Sequence, residues 1–135
     1  MKNFLLILTF CFLICNKVFS LDLTITQGTI KPTPIAISNF YSSENLEIKI
    51  GKNIAMVISD NLERSGLFSP IDQKAFIQNS ESLALQPRFE DWKIIKAQHL
   101  IAGKVSLKQN KISVEFRLYD VFSQKELLAK KFETS

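Results

Sequence analysis

From Ile112 onward the chain alternates, with Ile112, Val114, Phe116 and Leu118 on one side of an extended backbone and Ser113, Glu115, Arg117 and Tyr119 on the other. A period of two predicts a half-buried strand over Ile112–Phe122. The stretches Leu100–Leu107 and Glu126–Phe132 read as strands on either side of it. Gln109-Asn110-Lys111 and Ser123-Gln124-Lys125 are short enough to be the hairpin turns that join the three. Further upstream, Ile35-Ala36-Ile37 is a short apolar run after Pro32 and Pro34, and reads as a buried strand. Leu67–Ile71 is extended but contains Pro70, which lacks a backbone donor and belongs at a sheet edge or strand end.

Elsewhere the period lengthens. Ile50, Ile54, Val57, Ile58 and Leu62 recur at three- and four-residue steps, predicting a helix that buries those five side chains, with Ser43 as N-cap and Ser65-Gly66 as its stop. Phe89, Trp92 and Ile95 predict a second, shorter helix within Phe89–Gln98 that lays Trp92 on the core. Residues 72–88 are mixed and polar, predicting loop with a turn or two of helix. At the start, Leu21, Leu23 and Ile25 alternate with Asp22, Thr24 and Thr26, a strand pattern ending at Gln27-Gly28. The order β-β-α-β-α-β-β-β points to the α/β (α+β) class, a mixed sheet of five to six strands with two helices packed on one face.

What precedes that first strand sets the compartment. Lys2 supplies a positive start, Phe4–Cys15 is an uncharged apolar stretch, and Val18-Phe19-Ser20 ends in the small residue a signal peptidase requires. Residues 1–20 therefore read as a secretory signal cleaved after Ser20, too short to span a bilayer before Asn16 and Lys17 interrupt it. Both cysteines, Cys11 and Cys15, leave with it, so residues 21–135 form one small domain held by packing alone, in a setting such as a bacterial periplasm. Without Lys2 and Lys17, 15 basic face 13 acidic residues, and the longest basic run is Lys130-Lys131. That is no footprint for nucleic acid.

Candidate chemistry is sparse. His99, the single histidine, lies at a helix-to-strand junction with no nameable acid or nucleophile in reach, and reads as a hydrogen-bonded junction residue. One histidine and scattered carboxylates give no metal-ligand spacing. Asp60, Glu63 and Arg64 read as a solvated helix face, and Glu90-Asp91 as a complement to a helix N-terminus. Gly51 and Gly103 stand alone and make no phosphate-cradling loop. The residues name no catalytic, cofactor-binding or metal site, which favours an interaction module. An exported α/β domain with a small-molecule-binding or hydrolytic role remains the alternative.

Several stretches, taken together, resemble one family. The segments LDLTITQG, PIAISNF, ISDNLERSGLFSPID, FEDWKIIKAQHLIAGKV and VEFRLYD follow, in order and spacing, the N-terminal domain of TolB-like proteins, periplasmic components of the Tol-Pal envelope system. Asp60, Leu62, Ser65-Gly66, Phe68, Pro70 and Asp72 carry the most specific part of the likeness. The resemblance implies a non-enzymatic adaptor, without cofactor, that supports outer-membrane integrity and constriction at division. It implies that the mature N-terminal strand, Leu21, Asp22, Leu23, Thr24, Ile25 and Thr26, docks onto the C-terminal domain of TolA. In the family a closing helix and a six-bladed β-propeller follow, and the propeller binds Pal. This chain stops at Ser135, ahead of both, so Pal binding is not expected of it, and the sheet is expected to expose the apolar surface that the closing helix would cover.

Overall fold

The computed structural model describes residues 31–134. The elements are β1 (Thr33–Ile37), α1 (Asn45–Arg64), β2 (Phe68–Pro70), a 3-10 turn (Gln73–Ala75), α2 (Ser80–Leu85), α3 (Phe89–Ile94), β3 (His99–Lys108), β4 (Lys111–Asp120) and β5 (Lys125–Glu133). The export signal over residues 1–20 and the strand expected at Leu21–Gln27 lie outside the described residues.

The strands form one mixed five-stranded sheet in the order β2-β1-β3-β4-β5. β1 runs parallel to both neighbours, Ile35 standing beside Pro70 of β2 and His99 of β3. The other three make an antiparallel meander, as the sequence predicts. Its first turn is tight. Lys108 pairs with Lys111, and the two residues between them, Gln109 (φ 49°) and Asn110 (φ 62°), both take the left-handed conformation of a primed hairpin turn. In the second, the Asp120 carboxylate accepts the Ser123 N–H at 2.8 Å, which holds that carboxyl below its usual range.

Successive residues of a strand point to opposite faces, and each face has its own core. Ile35 and Ile37 join Ile101 and Val105 under α1, flanked by Ile50, Ile54, Ile58 and Leu62. Ala36, Leu100, Ala102 and Tyr119 pack on the other face against Leu83 of α2, Trp92 of α3, and Ala97. The class and the sheet are those expected, but the helices are divided between the two faces instead of sharing one. The chirality of the crossovers explains this. The link β1–α1–β2 moves outward, while the link back across β1 to β3 runs in the opposite direction, so two right-handed crossovers must pass over opposite faces.

The first helix also differs in rotation. Its most buried row is Glu47, Gly51 and Ala55, continued by Ile58 and Leu62, while Val57 is 55% exposed instead of buried. At about 100° per residue Val57 sits some 200° round from Ala55, and two small residues at the centre of the stripe let the helix lie close to the sheet. The N-cap is Glu44, with Ser42 Oγ accepting its N–H at 3.3 Å, not Ser43. The stop is as predicted, with Gly66 at φ 72°, where other side chains are strained. In the 72–88 region the predicted turns of helix are the 3-10 turn and α2, and Gln78, 3% exposed, ties them to α3. Its Nε2 donates to Gln86 O at 2.8 Å, and its Oε1 accepts from Arg88 N at 2.9 Å and Trp92 Nε1 at 3.0 Å.

Candidate docking surface

Open sheets with parallel strands take ligands beyond the strand C-termini, where successive crossovers part to opposite faces. Here that point lies between β1 and β3, and the chain itself fills it. After Ser38 donates to Ile101 O at 3.0 Å, two residues leave the ladder, and pairing resumes where Tyr41 N meets Gly103 O at 2.8 Å and Val105 N meets Tyr41 O at 2.9 Å. One of the two is Phe40, 2% exposed, whose N–H donates to Gly51 O at 3.3 Å. Both glycines about it are obligatory for lack of room. A Cβ on Gly51 would stand 2.1 Å from Phe40 O, and one on Gly103 would stand 2.5 Å from the Phe40 ring.

Among the described residues the edge of β3 beyond Tyr41 has no strand beside it. A side chain takes that place: Glu47, 6% exposed, accepts the Leu107 N–H through Oε1 at 2.6 Å, and its Oε2 accepts the Ser42 hydroxyl. The carboxylate thus stands where a neighbouring strand's carbonyl would be. Glu47→Ala should therefore lower stability by about 2 to 3 kcal/mol, the cost of stranding donors that had a charged acceptor. A urea midpoint within error of the parent would show that water takes over the role.

The remaining polar candidates stay apart. His99 opens β3 edge-on to the Phe68 ring, with centroids 6.4 Å apart, and its buried Nδ1 has no hydrogen-bond partner, contrary to the hydrogen-bonded junction expected. Asp60, Glu63 and Arg64 lie exposed on α1 as predicted. Glu90 and Asp91 open α3 and bind Lys93 at 2.8 Å and Arg88 at 2.7 Å respectively. Among the described residues no three metal-ligating side chains cluster, and no helix is long and apolar enough to cross a membrane. A groove of about 210 Å³ between α2 and the β3–β4 ladder is lined by Leu83, Leu85, Pro87, Lys104, Arg117 and Tyr119. Arg117 is turned to Glu126 at 3.1 Å, and its guanidinium titrates above the usual value because Tyr119 and Glu126 hold it charged.

What the described residues offer instead is sheet edge and sheet face. β2 is an edge of three residues ended by Pro70. β5 is the other edge, nine residues exposed along its whole length. On the α1 side of the sheet, beyond the reach of that helix, Leu118 pairs with Leu128 and Val114 with Phe132. The Phe116 and Phe132 rings stack at 6.2 Å. Phe132 is 59% and Leu128 40% exposed, so this end of the face is an uncovered apolar strip. Alternation made it legible in the sequence, but which face α1 would leave bare was not. The residues expected to dock a partner, Leu21–Thr26, lie outside the described residues. The chain enters next to Thr33, in a strand with neighbours on both sides.

Known proteins share both the sequence and the fold. The Tol-Pal system protein TolB of Paramagnetospirillum magneticum is 52% identical over 101 residues, covering 74% of this chain and 23% of the relative. That of Pelagibacter ubique is 43% identical over 128 residues, covering 87% and 29%. The chain thus spans between a fifth and a third of the length of these curated relatives. Among solved structures, TolB from Acinetobacter baumannii superposes with a TM-score of 0.60 at 21% identity, over 77% of this chain and 23% of that one. The LpoB C-terminal domain from Salmonella enterica does so at 0.55 and 13%, over 82% and 87%, so the fold is shared beyond the sequence family. The family model for the TolB amino-terminal domain matches residues 21–127. The chain belongs to the TolB amino-terminal-domain family of the Tol-Pal system.

Proposed function

We propose that this chain is a non-enzymatic periplasmic adaptor of the Tol-Pal envelope system, exported by residues 1–20, cleaved after Ser20, and docked to the C-terminal domain of TolA through Leu21–Thr26. The observation that carries this reading is that the family match begins at Leu21, the residue that follows the expected cleavage site and opens the alternating Leu21, Leu23, Ile25 row. The fold supports it. β1 lies between β2 and β3, so the strand that follows this segment offers no open edge of its own. Through TolA the adaptor serves outer-membrane integrity and constriction at division. Binding to Pal, which the resemblance places outside residues 21–135, is not proposed for them.

Deleting residues 21–26 should abolish binding to the TolA C-terminal domain in calorimetry while leaving the thermal melt of the remainder in place. Unchanged affinity after the deletion would refute the docking assignment. Loss of the melt would make the segment a structural strand of the sheet.

A further inference from the structure

Phe40 closes the point between β1 and β3 on the face that α1 covers. Beside it, toward the other face, a cleft of about 300 Å³ remains between the end of β1, the 3-10 turn and the start of α2. All eight residues that line it are uncharged, and six of them carry an amide or a hydroxyl. Two of the amides are held at one end. Gln73 Nε2 donates to Ile37 O at 3.0 Å, which leaves its Oε1 as an acceptor. Asn79 Oδ1 accepts the Ser82 N–H at 2.9 Å as the cap of α2, which leaves its Nδ2 as a donor. Asn39 lines the cleft too, and its Oδ1 is buried without a hydrogen-bond partner, where buried acceptors are ordinarily paired. Neither end of the described chain lies at the cleft, since Lys31 leads into the opposite end of β1 and β5 stands three places across the sheet.

We propose that this cleft binds a neutral N-acetylated sugar, at a site separate from the TolA-docking segment. The anchored acceptor of Gln73 and the anchored donor of Asn79 answer the N–H and the C=O of a secondary amide, and both are fixed before the ligand arrives, which keeps the ordering cost low. The uncharged lining selects against ionised ligands, which would give up hydration with no counter-charge in return. The volume lies at the small end for ligand sites, room for one ring and not for an extended chain. Phe76 and the half-exposed Ile77 supply an apolar wall for the C–H face of that ring. Asn39 completes the set, because a turn about its soft last torsion brings the unpaired oxygen to a ligand hydroxyl.

The test is an NMR titration of the isotope-labelled full chain with N-acetylglucosamine, set against glucose and glucosamine, which lack the acetamido group, the second carrying an ammonium instead. The side-chain amide resonances of Asn39, Gln73 and Asn79 should move and saturate with N-acetylglucosamine at concentrations where the other two sugars do little. Asn79→Asp keeps an equally good helix cap but replaces the Nδ2 donor with an acceptor, so it should melt like the parent and bind roughly tenfold more weakly. Parental affinity in Asn79→Asp, equal shifts with glucose, or shifts confined to other elements would overturn the proposal. So would stronger binding of blocked trialanine, an amide ligand without a sugar ring. Binding seen only after residues 21–26 are deleted would also overturn it, because the cleft would then belong to that segment.

Discussion

Trp92→Ala should lower the free energy of unfolding by about 3 to 5 kcal/mol. The ring is fully buried, edge-on to Phe76 at 5.0 Å, and sits in the core that holds α2 and α3 to the sheet. α3 has only six residues and would not persist without its anchor. The loss is also polar, because Gln78 Oε1 gives up the indole N–H and the loop from Gln78 to Arg88 loses part of its tie. Small domains are stable by only about 5 to 15 kcal/mol, so much of the margin goes. Trp92→Phe should cost clearly less, since it removes the indole donor and part of the volume but keeps an aromatic ring against Phe76. Urea unfolding of the two variants checks this, and equal midpoints would mean that the Trp92 indole is not what holds the 78–92 segment to that face.

Phe40→Ala should cost a similar amount, about 3 to 5 kcal/mol, because the ring is buried and fills the space over Gly103. The more telling measurement is a double-mutant cycle. In the parent, Gly103→Ala should destabilise, since its Cβ would meet three Phe40 ring atoms at 2.5 to 2.6 Å. In the Phe40→Ala background the same change should become neutral or stabilising, by filling part of the hole and favouring the strand backbone. A Gly103→Ala effect of the same sign and size in both backgrounds would place the ring elsewhere.

That pair also shows where sequence reading stops. Ile112, Val114, Phe116 and Leu118 announce their strand because period two is a local property, and Trp92 announces its burial because few surface positions tolerate so large a ring. The need for glycine at 51 and 103 is invisible locally. It is set by one phenylalanine, 11 residues before the first and 63 before the second, that folding alone brings between them. Glu47 is hidden for a related reason. A carboxylate in a first helical turn reads as solvated, and only the absent strand beside Leu107 gives it a buried task. Val57 misleads in the opposite sense, because apolar periodicity weights large side chains and the face of α1 that meets the sheet is centred on Gly51 and Ala55. As for docking, the alternation over Leu21–Thr26 is plain in the sequence, whereas the exposure of β5 among the described residues depends on how far across the sheet α1 reaches, which no local pattern encodes.

The placement of β1 has a consequence in time. The meander can close as soon as its own turns exist, since each of its strands pairs with the next through a short loop. β1 is made before the other described strands, yet one edge waits for Phe68–Pro70 and the other for His99–Ile101, and closing such long loops is the slow part of folding. β1 is therefore the described strand whose pairing waits longest on chain made after it. A chain halted before His99 has at most one edge of β1 paired and leaves Ala36 without the Leu100 and Ala102 that pack beside it, so the N-terminal half depends on whatever keeps an unfinished chain apart from its neighbours until the second half arrives.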